Sequence, residues 1–468
     1  MKPAFCLLAL LCASCGVHAQ SQGTRPPQKY ETLGRETLAE LIAIDTTVDH
    51  GSTIAAKAVA ARAIANGFAQ ADVTLVTPKE RPDSGSVVIR LRGRASARPV
   101  LYINHLDVVP ARREDWTFDP FKLTERDGWL YGRGTIDMKG QDAAVLTSLI
   151  RLKQEGYVPP RDVIVAFTPD EETRAQWGVG WLLKEHRNLI DAALVVNPDG
   201  GEAAMKKGRR LYVGVQTSEK IFTTFELETT DKGGHSSRPT VENPIYRLSA
   251  ALTRLQKHRF PLHLTDTTRL YFERRAGIES GQVAADMRAI LRQPPDSAAV
   301  DRLSAVVETN IQMRTTCTTT MIDGGHAENA LPQRARATVQ CRLIPGESQD
   351  SAAAAIRAAI ADPKVEIRVK TAAKVAPESK PSPDIFSIVE RVTHAMWPGV
   401  VVLPEMSPGA SDSVYTRAVG IPSYGIDAMF DDLDDARAHG KDERISVAAF
   451  GEDLEFTYRI MRAVSELH

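Results

Sequence analysis

No H-E-x-x-H pair and no G-x-S-x-G turn occurs in this sequence, and no long apolar run follows the first twenty residues. The first absence excludes a one-zinc protease of that helical type, and the second a serine hydrolase built on a nucleophile elbow. The third excludes a permanent transmembrane helix in the body of the chain. Charge of one sign is also missing: 58 Lys and Arg stand against 59 Asp and Glu, a formal net charge of −1. A protein so balanced carries no overall electrostatic footprint for nucleic acid or for an anionic membrane, which leaves small, locally recognised substrates.

Cysteine is scarce too. Of five, Cys6, Cys12 and Cys15 lie in the first fifteen residues, so the chain is no disulfide scaffold and the C-A-S-C spacing is no redox motif. Cys317 and Cys341 each sit in a β-like run, TTCTTTMI and ARATVQCRLI. If those runs pair as antiparallel neighbours, an oxidising compartment permits a bridge; two unpaired buried thiols fit the sequence equally well.

What is present is an ordinary globular composition, 43% hydrophobic and 25% charged over 468 residues, enough for two or three domains with substantial cores. The first nineteen residues read as a secretory signal peptide: one Lys, an apolar stretch from Ala4 to Cys15, then Val17-His18-Ala19 as a small-residue cleavage site. Lipoprotein processing at Cys15 is the rival reading. Either predicts an exported protein, periplasmic or secreted.

Tyr30 to Gln70 has helical spacing. Apolar β-like runs (DVTLV, SVVIRLRG, PVLYINH, DVIVAFT, AALVVN) then alternate with helical runs (QDAAVLTSLIRLKQEG, GWLLKEHRNLI), which predicts a largely parallel sheet covered by helices. Near Val215 the pattern changes to a β-α-β-β-α-β order, a ferredoxin-like unit lengthened by mixed material between Lys257 and Asn310. The α/β pattern returns near Pro377 and closes with an amphipathic helix that Ser446 can cap. The expectation is an α/β fold: a discontinuous α/β domain (residues 25–215 and 375–468) interrupted by a smaller inserted α+β domain (residues 216–374).

Three apolar runs end in polar clusters of one kind. LYIN leads to His105-Leu-Asp107, VIVAFTPD to Glu171-Glu172, and ALVVNP to Asp199. Ligands of open α/β sheets bind beyond the carboxyl ends of strands, so these groups can converge. A fourth carboxylate, Asp137, lies in the loop of GRGTIDMKG between a strand-like and a helix-like run. Imidazole with carboxylates is a zinc ligand set, and two adjacent metals need a carboxylate to bridge them. Residues two apart in a strand share a face, so Asp107 is placed to accept from the second ring nitrogen of His105. Consecutive glutamates at a strand exit diverge, leaving one to bind metal and the other to face the reacting water.

One more ligand is needed. His235 in KGGHSSRP, His326 in GGHAEN and His439 in ARAHGKDERI remain after histidines in plain contexts are set aside. Only His439 falls in the returning α/β segment, on a loop before the last helix.

Taken together, NHLDVVP, W-x-x-D-P-F, GRGTIDMKG, TPDEE, NPDGG, GGHSSRP, GASDS and AHGKDERI, in this order, resemble the dinuclear-zinc hydrolases of metallopeptidase family 20. That family includes carboxypeptidases, dipeptidases and aminoacylases. The resemblance implies a zinc-exopeptidase-type catalytic domain and a lid and dimerisation domain, with a homodimer formed through the lid. It implies two Zn2+ per chain, with Co2+ or Mn2+ as substitutes, Asp137 bridging, His105 and Asp199 on one metal, and Glu172 and His439 on the other. Glu171 would be the general acid/base, Asp107 the partner of His105, and the Asp137-Met138 peptide cis. His235 would stabilise the oxyanion in a neighbouring subunit, Asn329 and Arg342 would hold the substrate carboxylate, and Gly409 and Ser411 would line the cleft. The implied activity is hydrolysis of an amide bond beside a free carboxylate in a small peptide, with an N-acyl amino acid as the alternative substrate. A non-catalytic solute receptor, the competing class, has no use for an unligated acid such as Glu171 beside two metal sites.

Overall fold

The computed structural model describes residues 23–173 and 176–467; the signal-peptide reading and Cys15 lie outside the described residues. The principal sheet has the strand order Val73–Val76, Ser86–Leu91, Val163–Thr168, Val100–His105, Leu194–Asn197, Ser423–Ile426, Arg209–Glu219, Glu202–Lys206 and Asp431–Asp432, and Val401–Ser407 also pairs with Arg209–Glu219. Its centre is parallel: Val100–His105 lies between Val163–Thr168 and Leu194–Asn197, and Ser423–Ile426 follows in the same sense. Toward the flanks, Ser86–Leu91 and Arg209–Glu219 join antiparallel, so the sheet is mixed where a largely parallel one was expected. Apolar content alone does not report strand direction.

Why the central runs are continuously apolar is plain from the packing. Val163, Val165 and Phe167 enter one core with Val145, Leu149, Val389 and Phe456, whereas Ile164 and Ala166 enter another with Val179 and Leu182. Both faces are covered, so both parities must be apolar. Ser446 caps the last helix, Val447–Ser465, by accepting from the Ala449 amide.

A second sheet, ordered Thr316–Gly324, Arg334–Leu343, Ile221–Thr230 and Glu366–Thr371, is antiparallel throughout. Helices Pro244–Lys257 and Gln349–Ile360 pack on it through Leu248, Ala251 and Ile356. This is the expected β-α-β-β-α-β order. Cys317 and Cys341 are direct cross-strand partners and form a disulfide, which decides the question the sequence left open.

The segment between Lys257 and Asn310 is a correction. Its helices, Asp266–Arg275, Gly281–Ala289, Ser297–Ser304 and Val307–Met313, do not extend the second unit. Tyr271, Phe272, Met287, Leu303 and Met313 share a core with Ala204, Tyr212 and Leu403 of the principal sheet. Contiguity in sequence placed this stretch with its neighbours, but its apolar faces are buried against strands that lie elsewhere in the chain.

The bridge closes a loop of sequence separation 24. Cys341→Ser should therefore lower unfolding free energy by about 3 kcal/mol on the loop-entropy model, read as a lowered urea midpoint under oxidising conditions and no difference from wild type under reducing ones.

Candidate metal centre

The parallel centre of the sheet brings the chemistry together. His105 is in register with Thr168, so Glu171 and Glu172 leave their strand beside it, while Asp199 follows the adjacent strand Leu194–Asn197. Asp137 comes from the loop between Trp129–Tyr131 and helix Lys139–Gln154, and the Asp137-Met138 peptide is cis, as the resemblance implied.

That loop is fastened from outside by a residue the sequence reading missed. Glu443 is buried and accepts from the amides of Gly134 (3.1 Å), Ile136 (2.7 Å) and Asp137 (3.2 Å), and pairs with Arg133 at 2.5 Å. Burial pushes its carboxyl up, against the pull of Arg133 and the three amides. Behind the loop, the buried Lys139 donates to the carbonyls of Leu41 (2.9 Å) and Ile44 (2.8 Å), and burial brings its ammonium down to about 8.

The ligand atoms form two groups sharing one residue: His105, Asp137 and Asp199; and Asp137, Glu172 and His439. His105 Nε2 lies 3.1 Å from Asp137 Oδ1 and 3.8 Å from Asp199 Oδ1. His439 Nε2 lies 2.9 Å from both Asp137 Oδ2 and Glu172 Oε1. Each oxygen of Asp137 thus serves a different histidine, the arrangement a bridging carboxylate needs. Oxygen and imidazole donors in sets of three, each with room for a further ligand, fit a pair of divalent ions. Glu171 belongs to neither group; burial, reinforced by Asp199, pushes its carboxyl well above the usual range.

The family assignment follows. A family model, peptidase family M20/M25/M40, matches residues 101–463. The chain belongs to that family. Human N-fatty-acyl-amino acid synthase/hydrolase PM20D1 is 28% identical over 393 residues, covering 80% of this chain and 77% of that protein. Aminoacylase-1 of Sus scrofa is 23% identical over 471 residues, covering 96% and 98%. The crystal structure of the M20 family metallo-carboxypeptidase Sso-CP2 from Sulfolobus solfataricus superposes with a TM-score of 0.67 at 17% identity, covering 93% of this chain and 99% of that one, a likeness of fold.

Within this M20 chain one expectation about the site needs correction. His105 Nδ1 meets the backbone carbonyl of Asp107 at 3.0 Å, and the Asp107 carboxylate is 3.7 Å away. The strand ends at His105, so its two-residue period does not reach Asp107. The Asp107 carboxylate instead accepts from the amides of Glu171 (3.2 Å) and Glu172 (3.1 Å), fixing the glutamate turn, and burial pushes it up to about 6. Ser411 lines the cavity that opens at Glu171, its hydroxyl donating to the buried Glu219 at 2.8 Å. Gly409 sits beside it, its amide donating to Ser407 Oγ.

His235 and Asn329 are exposed on a small ribbon of the second unit, where the His235 ring bonds Ser237 and the Asn329 carbonyl accepts from Ser236. Arg342 lies over the Phe222 ring, 5.0 Å from its centroid. Among the described residues no hydrogen bond or ion pair joins these three to the metal cluster. Asp412, inside the GASDS motif, is a further residue the reading passed over. It is buried near the cluster, and burial with Asp107 and Asp199 pushes it up to about 8.

Without a cation, protons balance the carboxylates. Hydrogen bonds that His439 donates to Asp137 and Glu172 push its imidazole up to about 10; burial opposes protonation of His105, yet Asp137 and Asp199 still raise it. A metal takes only neutral imidazole. Metal uptake at pH 7 should therefore release protons, and affinity should fall as pH falls; calorimetry in buffers of different ionisation enthalpy measures the release, and no buffer dependence would contradict it. His439→Ala should lose metal from its group, checked by metal analysis after dialysis. Glu443→Ala should do so indirectly and lower stability by about 3–5 kcal/mol, the usual result of stranding one partner of a buried pair.

Proposed function

We propose that the protein is an exported, zinc-dependent hydrolase that cleaves the amide bond of a small peptide beside its free carboxylate, as a dipeptidase or carboxypeptidase does. The observation that carries this reading is Glu171: a carboxyl group next to two metal-ligand groups that belongs to neither. His105, Asp137, Asp199, Glu172 and His439 would hold two Zn2+, for which Co2+ or Mn2+ could substitute. Ions bound there would supply positive charge to the amide carbonyl and a lowered pKa to the attacking water.

Glu171 then takes the proton of the attacking water and later delivers it to the leaving amine. Its raised pKa suits a group that must hold a proton between those two moments. Asp107 orients it by accepting the amides of Glu171 and Glu172. Arg342, whose planar fork suits a carboxylate, and Asn329 would hold the substrate carboxylate, and His235 the developing oxyanion. Since among the described residues no hydrogen bond or ion pair joins them to the metal cluster, this reading calls for closure of the second unit or a partner chain in a homodimer.

A second reading, hydrolysis of N-acyl amino acids, is favoured by one specific observation. A cavity of about 440 Å3 opens at Glu171 and is walled by Ile221, Phe222, Ala376, Val414 and Tyr415, room for an apolar group. The name of the human relative points the same way.

The test is mass-spectrometric product analysis of zinc-loaded protein with dipeptides, tripeptides and N-acyl amino acids. Amino acid release should be abolished by chelation and reduced about 10^3-fold or more by Glu171→Gln with metal retained. Unchanged turnover in that variant would remove Glu171 from the reaction. Arg342→Ala should chiefly raise KM for substrates bearing the carboxylate, leaving the corresponding amides unaffected.

A further inference from the structure

Two of the four helices that pack on the principal sheet build one wall of a second chamber, about 400 Å3, that begins at the metal-site loop Asp199–Gly201. Tyr271 and Arg275 of helix Asp266–Arg275 and Glu308 and Gln312 of helix Val307–Met313 line it from the outside, and Glu202 and Glu405 from the sheet. The lining is acidic: Glu202, Glu308 and Glu405 face one cation, Arg275, whose guanidinium is already engaged by Tyr271 (2.5 Å) and Glu279 (3.1 Å).

Glu202 accepts from the Tyr212 hydroxyl at 2.9 Å. Glu405 lies deeper, packed so closely on Gly214 that a Cβ there would stand 2.1 Å from Glu405 Oε2. Burial and the neighbouring Glu202 push the Glu405 carboxyl well up.

An independent observation marks the chamber as built for a ligand. Gln312 is 8% exposed and donates Nε2 to the Met406 carbonyl at 3.0 Å, yet its Oε1 has no partner. Gln216, 1% exposed, accepts from Arg417 at 3.2 Å and leaves its Nε2 unpartnered. Buried amide atoms without partners are costly, and both side chains line this chamber. A ligand with several N–H donors satisfies Glu202, Glu308 and Gln312 Oε1, and Gln216 is left a donor for a carbonyl. Ala410 and Ser411 line both this chamber and the apolar cavity at Glu171, so a substrate lying across the metal centre has one end in each.

We infer that this chamber receives the free α-ammonium of an unblocked peptide, which makes the enzyme selective for peptides over N-acylated amino acids. The inference rests on the hydrolytic reading above and deepens it. Glu202, Glu308 and Gln312 are specificity residues; none takes part in bond cleavage.

The test compares alanyl-phenylalanine with N-acetyl-alanyl-phenylalanine on the zinc-loaded protein, its Glu202→Gln and Glu308→Gln variants, and Gln312→Leu. The wild type should prefer the free dipeptide in kcat/KM. Each glutamine variant should raise KM for the free dipeptide about tenfold, the loss of one charge-assisted contact, with kcat and the blocked substrate unchanged. Equal cleavage of blocked and free substrates by the wild type, or a variant that shifts both together, would overturn the inference. If nothing is cleaved, the hydrolytic reading fails instead, and calorimetry of alanyl-phenylalanine on Glu171→Gln protein separates the two: binding weakened by Glu202→Gln upholds the chamber, and binding indifferent to it does not.

Discussion

Everything at this site depends on one carboxylate with two faces. Asp137 presents Oδ1 to His105 and Oδ2 to His439, and Asp199 and Glu172 complete the two groups. Carboxylates this close repel unless a positive charge lies among them, so the scaffold must hold them against their own field. It does so by fixing backbone. Three amides of the Asp137 loop end on Glu443, and two amides of the glutamate turn end on Asp107. Both acceptors are buried and pushed up by burial, the direction expected of carboxyls that organise others at a desolvation cost of their own.

The sheet explains why these particular residues meet. Parallel strands all end on the same side, and the strands of His105, Glu171 and Asp199 are the neighbouring central ones. His439 and Glu443 arrive from the opposite end of the sequence on the loop before the final helix, so the second metal group exists only once the chain has closed on itself. The second unit attaches at two places that both line the Glu171 cavity: Glu219 to Phe222, and Thr371 to Pro377. Lys220 lies between the strands of the two sheets, buried, donating to the Arg314 carbonyl at 2.7 Å, with burial holding its ammonium down to about 7. Rotation of one sheet against the other would therefore act first on the cavity that opens at Glu171.

Much of this was legible in the sequence for a definite reason. His105, Asp137, Glu171, Glu172, Asp199 and His439 are of types chosen by chemistry; His105, Glu171, Glu172 and Asp199 sit where strands end, and Asp137 and His439 in loops inside quoted motifs. The exchange of α/β runs for a β-α-β-β-α-β order likewise survives in periodicity. The misreadings share a cause, which is that partnership in space has no local signature. The role of Asp107 turned on where a strand stops, and the placement of residues 257–310 on which sheet their apolar faces cover. Glu443 and Asp412 were inside quoted motifs, but an acid that binds backbone amides looks in sequence like any other acid. The cysteine pair was undecidable until strand register placed Cys317 opposite Cys341.

The chain 257–310, which no sequence pattern explained, turns out to determine the surroundings of the metal centre on the Asp199 side. Were these helices absent, Glu405 would face solvent, where water screens a carboxylate and a cation gains little from it. With Tyr271, Arg275 and Gln312 around it, Glu405 is buried in a chamber that also holds unpartnered amide atoms, and on the inference above a charged donor is distinguished there from a neutral acyl group. On the other side of Ala410 and Ser411, the Glu171 cavity sets Ile221, Phe222, Val414 and Tyr415 beside Lys220, Lys374 and Asp412. The metal-ligand groups thus stand between two enclosures of different lining. A substrate polar at its amino end and apolar toward its carboxyl end satisfies both, whereas a long acyl chain would have to displace the polar chamber's contacts or turn back into the apolar one. On the reading proposed here, the groups at the metal centre set the bond that is cleaved, and the added helices set which molecules can present it.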